Sequence, residues 1–226
     1  MPMLTGRGLF ITLEGIDGSG KSTQLRLLVR HLRRLGFPVC ATREPGGTRL
    51  GERIRRILLA SSSEALTPLA ELALMYGARA QHLEEVVRPA IAQGHVVVSD
   101  RYNTASMAYQ GYGRELGVAL VQAFDRVVCG ETQPDLTIIL DLPPRQALAR
   151  ARGRELRRNS RRGRFEREGL RFHERVRSGY LAIARQNPRR VKVVRADRPV
   201  SVVQAEIRRL VEELLNRRQK AQLRSQ

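Results

Sequence analysis

The stretch Gly15-Ile16-Asp17-Gly18-Ser19-Gly20-Lys21-Ser22 fits the pattern G-x-x-x-x-G-K-[ST] without a mismatch. Its flanks fit as well. Leu9-Phe10-Ile11-Thr12-Leu13-Glu14 reads as a buried strand, and Leu25, Leu28, Leu32 and Leu35 then recur at helical spacing. Strand, glycine loop and helix is the setting in which this pattern cradles phosphate. Glycines let backbone N–H groups turn inward, and the helix N-terminus adds positive partial charge. The segment from Gly15 through Ile16, Asp17, Gly18, Ser19, Gly20, Lys21 and Ser22 to Thr23 is therefore the expected ATP loop. Lys21 is expected to reach the β- and γ-phosphates, and the Ser22 hydroxyl to ligate Mg²⁺.

The rest of the chain alternates in the same way. Gly36 ends the first helix, residues 37–42 read as a second strand, and Arg43-Glu44-Pro45-Gly46-Gly47 follows at its tip. Strand, helix and strand of this length make a parallel βαβ unit, whose ligands sit at the carboxyl ends of the strands. A helix is expected over 48–59. Thr67 and Pro68 open a longer one, with Pro89 as a kink and Gly94 as its end. Residues 95–99 form a third strand that delivers Asp100-Arg101-Tyr102, and an acid at that tip is a candidate for organising Mg²⁺. Residues 103–114 look like a polar, partly helical segment over a pocket rather than core. A helix over 116–128, a strand over 136–141, a helix from Pro143 to about Arg157, another over 165–185, a strand over 191–194 and a last helix over 201–215 complete the pattern. The basic stretch 150–167 is read as a mobile lid, and residues 217–226 as a frayed tail. The expected fold class is α/β: a three-layer P-loop fold, one domain over 1–226, with a five-stranded parallel sheet and helices on both faces.

Composition sets the bounds. The chain of 226 residues suits one α/β core. No apolar run spans a membrane, and no secretory leader is legible. Cys40 and Cys129 are expected as reduced thiols in the cytoplasm. The 41 basic and 22 acidic residues leave a net charge of +19, which attracts polyanions. Much of the excess falls in 145–177 and in the tail, so nucleic acid is not the expected partner. A P-loop with a strand-tip Asp-Arg and further arginines points to phosphoryl transfer. A phosphate acceptor is already ionised and needs no general base.

Several segments together resemble the bacterial thymidylate kinases. They are the Gly15–Ser22 loop, Thr42-Arg43-Glu44-Pro45-Gly46-Gly47-Thr48, Arg79-Ala80-Gln81, Asp100-Arg101-Tyr102, Ala108-Tyr109-Gln110-Gly111 and Pro134-Asp135-Leu136-Thr137, and the likeness runs from Leu9 to Leu215. The resemblance implies transfer from ATP, with Mg²⁺, to dTMP in a cytoplasmic homodimer. It implies that Asp17 lies by the acceptor and helps Ser22 and Asp100 organise the metal. Arg43 and Arg101 would hold the dTMP phosphate, with Glu44 in support. Arg79 would donate to thymine O4, Tyr109 would pack on the sugar, and Ser106 and Gln110 would line the pocket. Lys21, Asp17, Arg101 and a lid arginine would be catalytic. Gly18 stands where one branch of the family has an arginine, so the lid would supply that charge here. Three departures stand out. Met75 replaces the usual stacking Phe, the lid reads Gly163-Arg164-Phe165-Glu166 without the usual Asp, and residues 157–162 look inserted. Arg164 aligns as the lid arginine, with Arg150, Arg154 and Arg158 as rivals. Two other readings remain open: a related monophosphate kinase of different base specificity, and a non-catalytic nucleic-acid-binding protein with a nucleotide switch.

Overall fold

The computed structural model describes residues 7–60, 66–158, 165 and 168–223. Five strands form one parallel sheet in the order β2-β3-β1-β4-β5. They are β1 (Leu9–Glu14), β2 (Val39–Arg43), β3 (Val96–Asp100), β4 (Leu136–Asp141) and β5 (Val191–Arg195). Their near-continuous apolar runs suit strands covered on both faces. Along β1 the side chains alternate. Leu9, Ile11 and Leu13 join the core shared with α1 (Lys21–Arg34) and α9 (Val200–Leu223). Phe10 and Val97 join a second core with Leu72 and Tyr76 of α3 (Pro68–His82) and Val121 of α6 (Val118–Val128). Both faces of the sheet are thus filled.

Register brings the functional ends together. Leu13 pairs with Asp100, and Arg43 also pairs with Asp100, so β1, β2 and β3 end side by side. The chain winds to β2 and β3 on one side of β1 and then crosses to β4 and β5. The crevice opens at that change of direction.

Helix starts follow local chemistry. Thr48 caps α2 (Arg49–Leu59), accepting from Gly51 N at 2.9 Å, and Thr67 caps α3, accepting from Ala70 N at 3.3 Å with Pro68 in the first turn. The long helix expected to kink at Pro89 instead widens before it. A π-helical turn covers Leu83–Val87, and α4 (Arg88–Ala92) follows. Proline lacks the N–H that would continue the regular ladder, and the wider turn absorbs the defect. The segment after β3 forms α5 (Asn103–Ser106) and a second π-helical turn, Met107–Gly113.

Two expectations need correction. Residues 103–114 are partly helical as expected, but they are not only a polar cover: Ala108, Tyr109 and Gln110 are buried, packed against α8 (Leu170–Gln186). The proposed lid opens on regular structure, as the helix expected from Pro143 to about Arg157 implies. Helix α7 (Pro144–Arg158) runs into it with Ala151 buried, and Phe165 is buried with its ring 5.6 Å from that of Tyr109. Residues 159–164, 166 and 167 lie outside the described residues. The last helix does not stop at 215. It continues to Leu223, since Arg217, Arg218, Gln219, Lys220 and Ala221 all favour helix. Among the described residues no helix is long and apolar enough to cross a membrane.

Helix α8 lies close to the Met107–Gly113 turn because Gly179 has no side chain. A Cβ there would meet Tyr112 Cγ at 2.6 Å and Tyr112 Cβ at 2.9 Å, atoms near the root of the ring that cannot swing aside. Overpacking of this kind costs about 1–3 kcal/mol, against about 1 kcal/mol gained on replacing a helical glycine by alanine. Gly179→Ala is expected to lower the midpoint of chemical denaturation at unchanged m-value. An unchanged or higher midpoint would contradict the close approach.

Candidate active site

The loop between β1 and α1 closes on itself. Lys21 is buried, and its Nζ donates to Gly15 O at 2.9 Å and Ile16 O at 3.1 Å. Burial lowers its ammonium to about 8, and the charge of Arg101 adds to the effect, while Asp17, Asp100 and Glu14 pull the other way. Gly18 packs against the start of α7. A Cβ there would lie 2.1 Å from Ala147 O, and φ is +88°, so an arginine is excluded at this position. Gly18, Gly20, Lys21 and Ser22 line a cavity together with Asp17, Arg43 and Asp100. Gly15, Ile16, Ser19 and Thr23 shape the loop without lining that cavity. Ser22 Oγ donates to Asp100 Oδ2 at 3.0 Å, joining the loop to the tip of β3.

Arg101 follows Asp100 with φ at +75°, in the left-handed region that few residues other than glycine adopt. Its backbone N–H donates to Leu13 O at 3.0 Å. Its Nη2 reaches Asp17 Oδ1 at 2.8 Å and the Tyr109 hydroxyl at 3.1 Å, and its Nη1 reaches the Tyr180 hydroxyl at 3.2 Å. The guanidinium also lies 4.7 Å from the centre of the Tyr109 ring. Burial alone would raise the Asp17 carboxyl, but the charges of Arg101 and Lys21 outweigh it and hold the group well below the usual carboxylate range. Behind Arg101 lies Glu14, fully buried at the end of β1. Burial lifts its carboxyl to about 7 against the opposing pull of Arg101, Tyr102 N–H, Tyr180 and Lys21.

A second cavity opens beside the first. Pro45, Leu59, Met75, Arg79, Ser106, Gln110, Tyr109 and Phe165 line it. The two cavities share Asp17, Glu44, Arg55 and Arg101. At the base of the second cavity, Arg79 is almost wholly enclosed. Its Nε donates to Glu44 Oε2 at 2.7 Å, and its Nη2 donates to Tyr102 O at 3.1 Å and Ser106 Oγ at 3.0 Å. Its Nη1 is buried with no hydrogen-bond partner among the described residues. An orphaned buried donor at a cavity wall suits an acceptor on a ligand. Gln110 Nε2 donates to the buried Glu71 at 2.7 Å, which fixes the amide at the edge of the cavity.

The residues singled out from the sequence mostly converge here, with differences of detail. Glu44 contacts Arg79 and also His82, whose Nδ1 lies 2.9 Å from Glu44 Oε1. The carboxylate therefore sets the base of the second cavity, and it also lines the loop cavity. Arg43 pairs with Glu52 at 2.9 Å and lines the loop cavity but not the second one. Met75 is half-buried in the cavity wall, and Phe165 supplies an aromatic ring to the same wall. Arg164 lies outside the described residues. Arg150, one of its rivals, donates Nη1 to Ala196 O at 3.0 Å. Sequence reasoning missed Arg55, Glu14 and Tyr180. Arg55 carries no motif, yet it lines both cavities and donates Nη1 to Pro45 O at 2.7 Å. No cluster of three His, Cys, Asp or Glu side chains fit for a metal lies among the described residues. The neighbouring Ser22 hydroxyl and Asp100 carboxylate still suit Mg²⁺, which keeps several waters and takes few protein ligands beside a phosphate.

The architecture has relatives. A sequence model of the family described as thymidylate kinase matches residues 13–207. A thymidylate kinase of Pseudomonas entomophila is 50% identical over 210 residues, covering 93% of this chain and 98% of its own length. One of Symbiobacterium thermophilum is 46% identical over 210 residues, covering 93% and 95%. The crystal structure of thymidylate kinase from Ehrlichia chaffeensis superposes with a TM-score of 0.73 at 31% identity, covering 91% of this chain and 99% of that one. Matched over most of its length by the family and by these relatives, the chain belongs to the thymidylate kinase family.

Proposed function

We propose that the chain transfers the γ-phosphoryl group of ATP to the phosphate of dTMP, giving dTDP, with ATP on the Gly15–Thr23 loop and dTMP in the second cavity. The observation that carries the reading is the junction of the two cavities at Asp17, Glu44, Arg55 and Arg101. A donor held by the loop and an acceptor held by the pocket meet there, with cationic side chains at the meeting point.

Lys21 now donates to two carbonyls of its own loop. With ATP present it turns to the β- and γ-phosphates, and their charge restores its full protonation. Arg101, aided by Arg43 and Arg55, holds the acceptor phosphate and balances the charge that develops between the two substrates. Asp17 anchors Arg101 so that the guanidinium needs no reorganisation when the substrates arrive. Ser22 and Asp100, with Asp17 beside them in the same cavity, would hold Mg²⁺, which would supply neutralisation of phosphate charge. The Arg79 Nη1 donor meets the O4 carbonyl of thymine, where cytosine would present an amino group and leave two donors facing each other. Met75 and Phe165 cover the faces of the base, Tyr109 packs on the sugar, and Ser106 and Gln110 close the edge. A lid arginine, Arg164 by its place in the family pattern, completes the charge around the transferred group.

The chain is also proposed to work as a homodimer in the cytoplasm, where free thiols such as Cys40 and Cys129 persist. The neighbouring helices α2, α3 and α6 carry exposed Leu50, Ile57, Leu69, Leu120 and Val127. Apolar residues grouped on adjacent helices suit an interface. Light scattering on the purified protein is expected to read twice the chain mass at micromolar concentration; a single chain mass throughout would contradict the dimer.

Two kinds of variant test the site. Lys21→Ala and Arg101→Ala are each expected to lower kcat by roughly 10²–10³, the loss typical of removing one charge-stabilising donor, with the fold intact by circular dichroism. Normal turnover by either variant would remove that residue from the mechanism. Arg79→Lys keeps a cation against buried Glu44 but deletes the Nη1 donor. The ratio of kcat/KM for dTMP to that for dCMP is expected to fall about tenfold, the worth of one charge-assisted hydrogen bond. An unchanged ratio would mean that the base is read elsewhere.

A further inference from the structure

Two side chains beside the site line neither cavity, yet both are tied to Arg101. Glu14 is fully buried at the end of β1, and Tyr180 is buried on α8. A buried carboxyl demands hydrogen-bond donors. Glu14 has two: Tyr102 N–H reaches Oε1 at 2.8 Å, and the Tyr180 hydroxyl reaches Oε2 at 3.0 Å. Both lead back to the same residue. Tyr102 follows Arg101 directly in the chain, and the Tyr180 oxygen accepts from Arg101 Nη1 at 3.2 Å.

The first link acts on the backbone. Arg101 sits at φ +75°, a left-handed conformation that an ordinary residue holds only where the surroundings impose it. Arg101 N–H to Leu13 O on one side and Tyr102 N–H to Glu14 on the other pin that turn against the end of β1. The second link acts on the guanidinium. Tyr180 uses its single proton on Glu14 and therefore presents only lone pairs to Arg101, so the carboxyl sets the direction of the hydroxyl. Tyr109 does the same from the opposite side, accepting from Nη2 and donating to Asp17 Oδ2 at 3.4 Å. The guanidinium is thus held between two tyrosines, each oriented by its own carboxyl group.

We propose that Glu14 is a positioning residue for phosphoryl transfer, acting through Tyr102 N–H and Tyr180 to fix both the backbone turn and the guanidinium plane of Arg101 at the junction of the cavities. The proposal rests on the kinase reading above and assigns Glu14 no contact with either substrate.

A kinetic cycle with dTMP and ATP tests it, using Glu14→Gln, Tyr180→Phe, Arg101→Lys and their double variants. Glutamine keeps the size but can accept at only one of its two termini, and phenylalanine removes only the hydroxyl. Each of these two singles is expected to lower kcat/KM for dTMP about tenfold while KM for ATP stays within twofold. Glu14→Gln with Tyr180→Phe is expected to be no worse than the poorer single, because both cut one path. In the Arg101→Lys background neither change is expected to lower turnover further. Losses that multiply with Arg101→Lys, or singles with wild-type kinetics, would overturn the proposal. If Glu14→Gln does not fold, the Tyr180→Phe and Arg101→Lys pair decides by the same criterion. Absence of wild-type turnover with dTMP would overturn the kinase reading and this proposal with it, whereas wild-type turnover with multiplying losses would overturn this proposal alone.

Discussion

A largely buried guanidinium needs partners, and Arg101 is mostly shielded from solvent where the site is built. Its needs bring together parts of the chain that are far apart in sequence. Asp17 comes from the phosphate loop, Tyr109 from the π-helical turn after α5, and Tyr180 from α8. The backbone of Arg101 is tied to the end of β1 through Leu13. Remove the cation and three elements lose the group on which they converge. Remove the enclosure and the cation becomes a solvated arginine of little use to a transferring phosphate, since charge acts strongly only where water is excluded.

The same arrangement explains the electrostatics of the site without ligands. Burial, with the charge of Arg101 beside it, depresses the Lys21 ammonium, and the two cations hold Asp17 ionised. Incoming phosphates supply the negative charge that two neighbouring cations lack. The acceptor cavity works by the opposite logic. Arg79 is neutralised by Glu44, so what it offers a base is a directed N–H rather than net charge. With the Arg55 and Arg101 guanidiniums at the junction and the Arg79–Glu44 pair at the base, the site separates the task of moving phosphate from the task of reading a ring. The net charge of +19 is by contrast a property of the whole chain and identifies neither task.

Much of this was legible in the sequence because its causes are local. The glycine loop, the apolar strands, the Thr48 and Thr67 caps and the Asp100-Arg101-Tyr102 tip all lie in short continuous segments. The two π-helical turns were not legible, since a widened turn keeps much the same apolar spacing as a regular one. The full length of α9 was not legible because it runs past the apolar positions of its buried face into charged last turns whose residues favour helix. The partners of Glu44 were not legible either: it follows β2 directly, and only the fold shows that it meets Arg79 and His82. Arg55, Glu14 and Tyr180 belong to no motif; only the fold shows that they meet.

The central claim is that this junction joins ATP to one particular monophosphate. Its most direct test is a coupled ADP-release assay of the unaltered protein with ATP and Mg²⁺, offering dTMP, dUMP, dCMP, UMP, dGMP and AMP in parallel. The account predicts the highest kcat/KM for dTMP, with dCMP lower by about tenfold or more because its amino group opposes the Arg79 donor. Comparable turnover of dCMP and dTMP, or no turnover of dTMP at all, would contradict it.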